Sequence, residues 1–357
     1  MVGVPIRAPA RLTRAENTER GGGIKKIALA GFAASLVVVT IVTTRAALID
    51  SGGAQSAGTV PGTPTGSATR VALPDSEVPT VDYTFDLETG LMTPLPESII
   101  ASLGPTYVGT STYDRGTSRY AVLPEGSKLA YIADDPVDQT TVQLFVADID
   151  GTGIRQLTRH PPICCPAAPD WSPDGSKVVF QAPQGIYIAD VASGSLTQVV
   201  PADPNYVADK EPTFSPDGTR IIYTHDGIRA VPVSGGPSTL LFGGGIGGMS
   251  GASNASVSPD GKQVTMFGHI GESCCYRVLG NIDGTELKPL GNVAEWDMSL
   301  GRSNVSGTWS PDANRIVTVV EIDGIGVTDV ATGRVEIVAR GNGAIWLDDH
   351  TLLVEVS

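Results

Sequence analysis

The chain has 357 residues, of which 41% are hydrophobic and 6% aromatic, enough apolar material for one large or two ordinary domains. Gly (43) and Pro (26) are abundant without a triplet period, which points to many turns and excludes a collagen-like rod. The net charge of −14 is segregated: residues 1–49 carry +5 and the remainder −19, and so acidic a body excludes nucleic acid as a partner because phosphate neutralisation needs Lys and Arg.

Residues 27–44 are 18 consecutive uncharged positions, IALAGFAASLVVVTIVTT. As a helix they would span roughly 27 Å, close to the hydrocarbon core of a bilayer. Lys25 and Lys26 precede the run and Arg45 follows it. The basic excess on the N-terminal side predicts a cytoplasmic tail over residues 1–26, a signal anchor at 27–44 and an extracytoplasmic remainder. The rival reading is a cleaved signal peptide, but the run is longer than the usual apolar region, and a cleavable Ala54-Gln55-Ser56 lies well downstream. Residues 45–79 are dominated by small, polar, Gly and Pro residues and read as a flexible linker.

From residue 80 onward one pattern repeats. Trp171-Ser172-Pro173-Asp174-Gly175, Phe214-Ser215-Pro216-Asp217-Gly218, Val257-Ser258-Pro259-Asp260-Gly261 and Trp309-Ser310-Pro311-Asp312-Ala313 share it, with degenerate copies at Leu123–Gly126 and Trp346–His350. Adjacent copies start roughly 37 to 52 residues apart, the spacing of propeller blades. Pro fixes φ, Asp bonds locally to the backbone and Gly supplies a positive φ, so each copy is a tight turn between strands. Apolar or alternating strands follow, as at Lys177–Phe180, Arg220–Tyr223, Lys262–Phe267 and Arg315–Val319. A third strand, such as Gly185–Asp190, then turns at Ala192–Gly194 into a fourth at Leu196–Val200. That predicts four antiparallel strands per unit.

The second turn recurs six times, once at Asp86–Gly90, ahead of any complete unit, while the last unit stops after its inner strands. Residues 81–96 are therefore expected to supply the outer strands of the last blade and so close the ring. The predicted fold is an all-β, six-bladed propeller of four-stranded antiparallel blades over residues 80–357, preceded by one transmembrane helix.

The [Trp/Phe]-Ser-Pro-Asp-Gly-x-[Lys/Arg]-[Ile/Val] repeats resemble those of the TolB-like propeller superfamily, over about residues 80–357. The resemblance implies a binding module, a scaffold or sensor for a protein or ligand. Peptidase relatives carry an α/β-hydrolase domain, for which there is no room and no Gly-x-Ser-x-Gly motif here. The alternative is a propeller enzyme or a metal-dependent hydrolase or lyase with its site on the channel rim. No cofactor, metal site or catalytic residue is assigned; a protein or peptide partner at the cell envelope and a monomeric propeller are expected.

The end of each second strand places polar residues at equivalent positions: Asp134 and Asp135, Gln181, His225 and Asp226, His269, Glu321, and also Glu355. Carboxylates and imidazoles ringing one face would suit a cation or a basic peptide, whereas strand ends are polar anyway because water reaches them. Cys164-Cys165 and Cys274-Cys275 are disulfide candidates, with three possible connectivities. Their adjacency is poor spacing for a four-thiolate metal site. The second pair ends a loop expected over Gly268–Cys275, after the second strand of the fourth blade, and the glycine-rich run Gly243–Gly251 reads as a connection between blades. Trp171, Trp309 and Trp346 are assigned to packing.

Overall fold

The computed structural model describes residues 69–70, 79–104, 119–160, 162–163, 166–203, 210–243, 249–270, 273–290, 308–320 and 324–356. The chain divides into Met1–Thr59 and Val60–Ser357, and all described residues belong to the second unit. The apolar run at 27–44 lies outside them; among the described residues no helix is long and apolar enough to cross a membrane.

Two short strands, β1 (Thr69–Arg70) and β2 (Tyr83–Asp86), are followed by β3 (Met92–Pro94) and helix α1 (Glu97–Leu103). Blade 1 comprises β4 (Tyr120–Val122), β5 (Lys128–Asp134), β6 (Val142–Asp148) and β7 (Arg155–Gln156). Blade 2 is β8 (Ala167–Trp171), β9 (Lys177–Ala182), β10 (Gly185–Asp190) and β11 (Leu196–Pro201). Blade 3 is β12 (Lys210–Phe214), β13 (Arg220–Thr224), β14 (Ile228–Pro232) and β15 (Thr239–Phe242). Blade 4 is β16 (Met249–Val257), β17 (Gln263–Ile270), β18 (Ser273–Asn281) and β19 (Lys288–Pro289). Blade 5 is β20 (Thr308–Trp309), β21 (Arg315–Val320), β22 (Gly324–Asp329) and β23 (Val335–Arg340), with β1 added in parallel on its outer edge. Blade 6 joins the chain ends: β24 (Gly343–Trp346) and β25 (Thr351–Glu355) are the inner strands, β2 and β3 the outer ones. The ring closes as expected, with Tyr83 opposite Val354 and Asp86 opposite Thr351.

Alternation along each strand sends side chains to the two neighbouring blades in turn. Val317 and Val319 of β21 pack with Tyr83, Trp346 and Leu352 of blade 6, while Ile316 packs with Leu279 and Leu290 of blade 4. A strand buried on both faces must be apolar nearly throughout, which is why β5 reads KLAYIAD with only its first residue half-exposed.

Three features differ from the sequence expectation. Helix α1 stands where none was expected; it buries Ile99 and Leu103 against Leu129, Tyr131 and Phe145 of blade 1 and Ile345 and Leu353 of blade 6. Burying each such side chain stabilises the junction by roughly 1.5–3 kcal/mol. The segment Gly268–Cys275 is not a loop, because β17 runs on to Ile270 and pairs there with Ser273 of β18. Within the stretch read as linker, Thr69 and Arg70 pair with Glu336 and Ile337.

The repeated turn has a member whose role the motif reading did not specify. In each full copy the Ser hydroxyl donates to the motif Asp and accepts the N–H of the residue five positions on: Ser258 Oγ lies 2.7 Å from Asp260 Oδ1 and 2.9 Å from Gln263 N. Ser172, Ser215 and Ser310 repeat both bonds. Gly175, Gly218 and Gly261 take φ of +69°, +68° and +73°, and Ala313 in the fourth copy is forced to +60°. Ser258 is fully buried, so removing its hydroxyl strands the Gln263 N–H. Ser258→Ala is expected to destabilise the full-length protein by about 1–3 kcal/mol, measured as a lowered urea midpoint at unchanged slope.

Candidate functional site: the central channel

The six innermost strands, β4, β8, β12, β16, β20 and β24, wall a channel with a cavity of about 470 Å³. Its mouth on the side of the Ser-Pro-Asp-Gly turns is ringed by Pro124, Pro173, Pro216, Pro259, Pro311 and Leu347. These turns project one proline each towards the axis, so the mouth is apolar by construction of the repeat. Outside it stand the turn carboxylates. Hydrogen bonds from Ser172 and Ser215 hold Asp174 and Asp217 down to about 2, and bonds from Lys262 and then Ser258 do the same for Asp260. They are therefore ionised at any ordinary pH.

Deeper in the channel, the residue three places before each turn proline faces inward, Ala121, Asp170, Thr213, Ser256 and Thr308, with Ile345 at the equivalent place in the sixth blade. Asp170 is the one carboxylate of this ring. Its Oδ2 accepts the Thr213 hydroxyl and the Phe214 N–H, both at 2.8 Å, so it ties blade 2 to blade 3. Burial pushes its carboxyl from 3.8 up to about 6, against the pull of those bonds. Glu211 also lines the cavity. It sits on a β-bulge with φ of +55°, matched by Ala168 at +47° and Asn254 at +52° in the flanking blades. The charge of Glu211 acts on fully buried Arg277, whose guanidinium lies 4.2 Å from the Phe267 ring centroid and is pulled down to about 9 by burial.

The blades are stitched around the channel. Indole N–H groups reach back one blade, from Trp171 to the Ala121 carbonyl (3.1 Å), Trp309 to Ser256 (3.0 Å) and Trp346 to Thr308 (3.1 Å). The tryptophans expected to pack thus also carry inter-blade bonds. On the opposite rim, Gln181 Oε1 accepts the Glu211 N–H (2.8 Å) and Thr224 Oγ1 the Asn254 N–H (3.2 Å). Glu355 stands in the corresponding place beside the Arg119 N–H (3.3 Å) and 3.5 Å from Arg119 Nε.

Two of the rim residues proposed from sequence, Gln181 and Glu355, therefore grip a neighbouring blade. Asp135 is buried and caps its own turn, accepting the Val137 and Asp138 N–H groups. Asp134 is buried against Gly104, which ends α1 at φ of +79°. His225 is half-buried with Nε2 3.9 Å from Asp203 Oδ2, and Asp226 is exposed at φ of +47°. The side chains of His269, Glu321, Cys164, Cys165, Cys274 and Cys275 lie outside the described residues. Among the described residues, no group of three or more His, Cys, Asp or Glu could hold a metal ion. Sequence reasoning missed Asp170, Thr213, Ser256 and Thr308; their signal was a polar residue directly before the motif in four consecutive copies.

Six four-stranded blades closed by an N-terminal pair of strands define a six-bladed β-propeller. No protein-family model and no curated protein matches the chain. Among solved structures it is similar to TolB from Acinetobacter baumannii, with a TM-score of 0.47 and 17% identity over 67% of this chain and 54% of that one. It is also similar to a putative TolB from Agrobacterium tumefaciens (0.43, 19%, over 65% and 94%) and to an oligogalacturonate lyase in complex with manganese (0.44, 11%, over 78% and 96%). The chain matches only about half the length of the Acinetobacter protein. The propeller assignment rests on the strand order and closure above, independently of these likenesses.

Because the folded chain holds the Asp170 proton more tightly than the unfolded one, this group favours folding below about 3.8, and that contribution is lost as pH rises through about 6. Asp170→Asn keeps an oxygen for Thr213 and Phe214 and cannot ionise. Its urea midpoint is expected to match the parent below about pH 4, to exceed it increasingly as pH rises to about 6, and to keep that lead above it. Parallel pH profiles for the two proteins would refute the assignment.

Proposed function

We propose that this chain holds a single propeller ring outside the cytoplasm through residues 27–44, and that the propeller binds a protein or peptide at the cell envelope through the turn-side mouth of its channel. The observation that carries the reading is the cavity itself: apolar at the mouth, with Asp170, Glu211, Thr213, Ser256 and Thr308 converging within. Apolar walls with a few convergent polar groups are the usual build of a recognition site. The matching ligand is an extended segment that sets apolar side chains among the prolines and offers an amine or guanidinium to the carboxylates inside. The −19 net charge of the body gives such a cationic segment a favourable approach.

The test is crosslinking capture from intact cells with the tagged full-length chain, alongside two variants. Pro124→Glu with Pro259→Glu adds charge to the mouth at exposed turn positions; Ala at His225 and Asp226 alters the opposite rim. A partner kept by the rim variant and lost by the mouth variant is the expected result. Loss with the rim variant alone moves binding to the other face, and equal capture by all three contradicts a propeller-face site. In the same cells, added protease should remove a C-terminal tag and spare an N-terminal one; the reverse pattern refutes the orientation.

A further inference from the structure

The six blade junctions are not built alike. Four threonine hydroxyls are buried without a hydrogen-bond partner among the described residues, those of Thr265, Thr308, Thr318 and Thr328, and all lie in blades 4 and 5. Thr308 lines the channel. The other three are almost completely buried, at 0%, 2% and 0% exposure. Strand register puts them on facing surfaces. Thr265 is directly opposite Leu279, and Thr328 directly opposite Ile316, with Thr318 two residues beyond Ile316 on the same face. Leu279 and Ile316 belong to the apolar cluster, with Leu290 and Trp309, that joins blade 4 to blade 5. The alternate residues Val317, Val319, Ile325 and Val327 pack towards blade 6, which confirms the direction of the threonines.

Leaving three buried hydroxyls dry is costly, and buried polar groups in folded proteins are as a rule hydrogen-bonded, to protein or to ordered water. Beside them blade 5 presents Gly326, opposite Thr318, and Gly324, opposite Val320, neither contributing a side chain. The face of blade 4 that carries Thr265 also carries Phe267 and the fully buried guanidinium of Arg277, so the junction is polar as well as buried, and its unmet threonine hydroxyls call for internal water. We propose that blades 4 and 5 meet across a hydrated seam, in which ordered water bonds the hydroxyls of Thr265, Thr318 and Thr328. Among the described residues every junction has its apolar cluster, and this one also has the Trp309–Ser256 bond; it differs in the buried threonine hydroxyls that no protein group meets.

The test compares two triple variants of the full-length protein. Val at positions 265, 318 and 328 keeps the shape of Thr and removes the hydroxyl; Ser keeps the hydroxyl and removes the methyl. Oxygen-17 relaxation dispersion, which detects long-lived internal water, is expected to lose amplitude in the Val triple and retain it in the Ser triple. The Val triple is expected to melt at or above the parent, and the Ser triple below it. A Val triple that melts below the Ser triple, or fails to fold while the Ser triple folds, would show the hydroxyls bonded to protein and overturn the proposal. So would an unchanged dispersion amplitude in a folded Val triple; the three single Val variants, read by the same two measurements, decide the case if neither triple folds.

Discussion

Everything in this ring depends on one pairing, that of β2 with β25 across more than two hundred and fifty residues of chain. A propeller without it would present an open edge on blade 6 and an unsupported face on blade 1. The pairing is reinforced by a buried polar cluster. Asp82, just before β2, accepts the Val356 N–H through Oδ1 (2.9 Å) and the Tyr120 hydroxyl through Oδ2 (2.6 Å), and its Oδ2 lies 3.5 Å from Arg119. Glu355 meets the same guanidinium from the other side. Thus the segment before β2, the C-terminal strand and the start of blade 1 converge on a single arginine. Burial and the neighbouring Asp82 charge push the Tyr120 phenol well above its ordinary value, so it stays protonated and able to donate. Charges this deeply buried are tolerable only because each has an opposite charge and hydrogen bonds, and removal of one partner would strand the rest.

The repeated motif and the channel do different work. Ser, Pro, Asp and Gly of the motif are spent on the turn: hydroxyl to carboxylate, carboxylate to backbone, glycine at positive φ. Such a motif reports the fold and says little about function. The residue three places before the turn proline is free to vary because its side chain meets the channel, and it does vary, from Ala121 through Asp170 and Thr213 to the equivalent Ile345. Chemical character therefore resides at that position and in the proline collar, while the conserved-looking turn supplies rigidity beneath it.

Blade number, strand order, the tight turns and the closure by residues 81–96 were legible in the sequence, since they follow from a period of turns and from local backbone chemistry. Five features were not. Helix α1 is a single short stretch with two buried residues, too brief for a periodic signal. The bulges at Ala168, Glu211 and Asn254 take positive φ without glycine, so no residue type announced them. The Asp82–Arg119–Glu355 cluster joins residues distant in sequence, and only closure brings them together. Of the strand-end residues read as a possible ligand ring, Gln181 holds the bulge of the next blade, as Thr224 does, and Glu355 stands where it can do the same. The segment Gly268–Cys275 is expected from sequence to be a loop, whereas β17 runs to Ile270 and pairs there with Ser273 of β18.

The closure account is tested most directly by comparing residues 60–357 with residues 97–357 in equilibrium urea denaturation. The longer chain keeps β2, β3 and Asp82; the shorter loses both outer strands of blade 6 and one of the two carboxylate partners of Arg119. The account predicts one cooperative transition for the longer chain, and for the shorter a broadened transition at much lower urea together with rapid amide exchange in β25. Equal midpoints and equal protection of β25 in the two chains would contradict it.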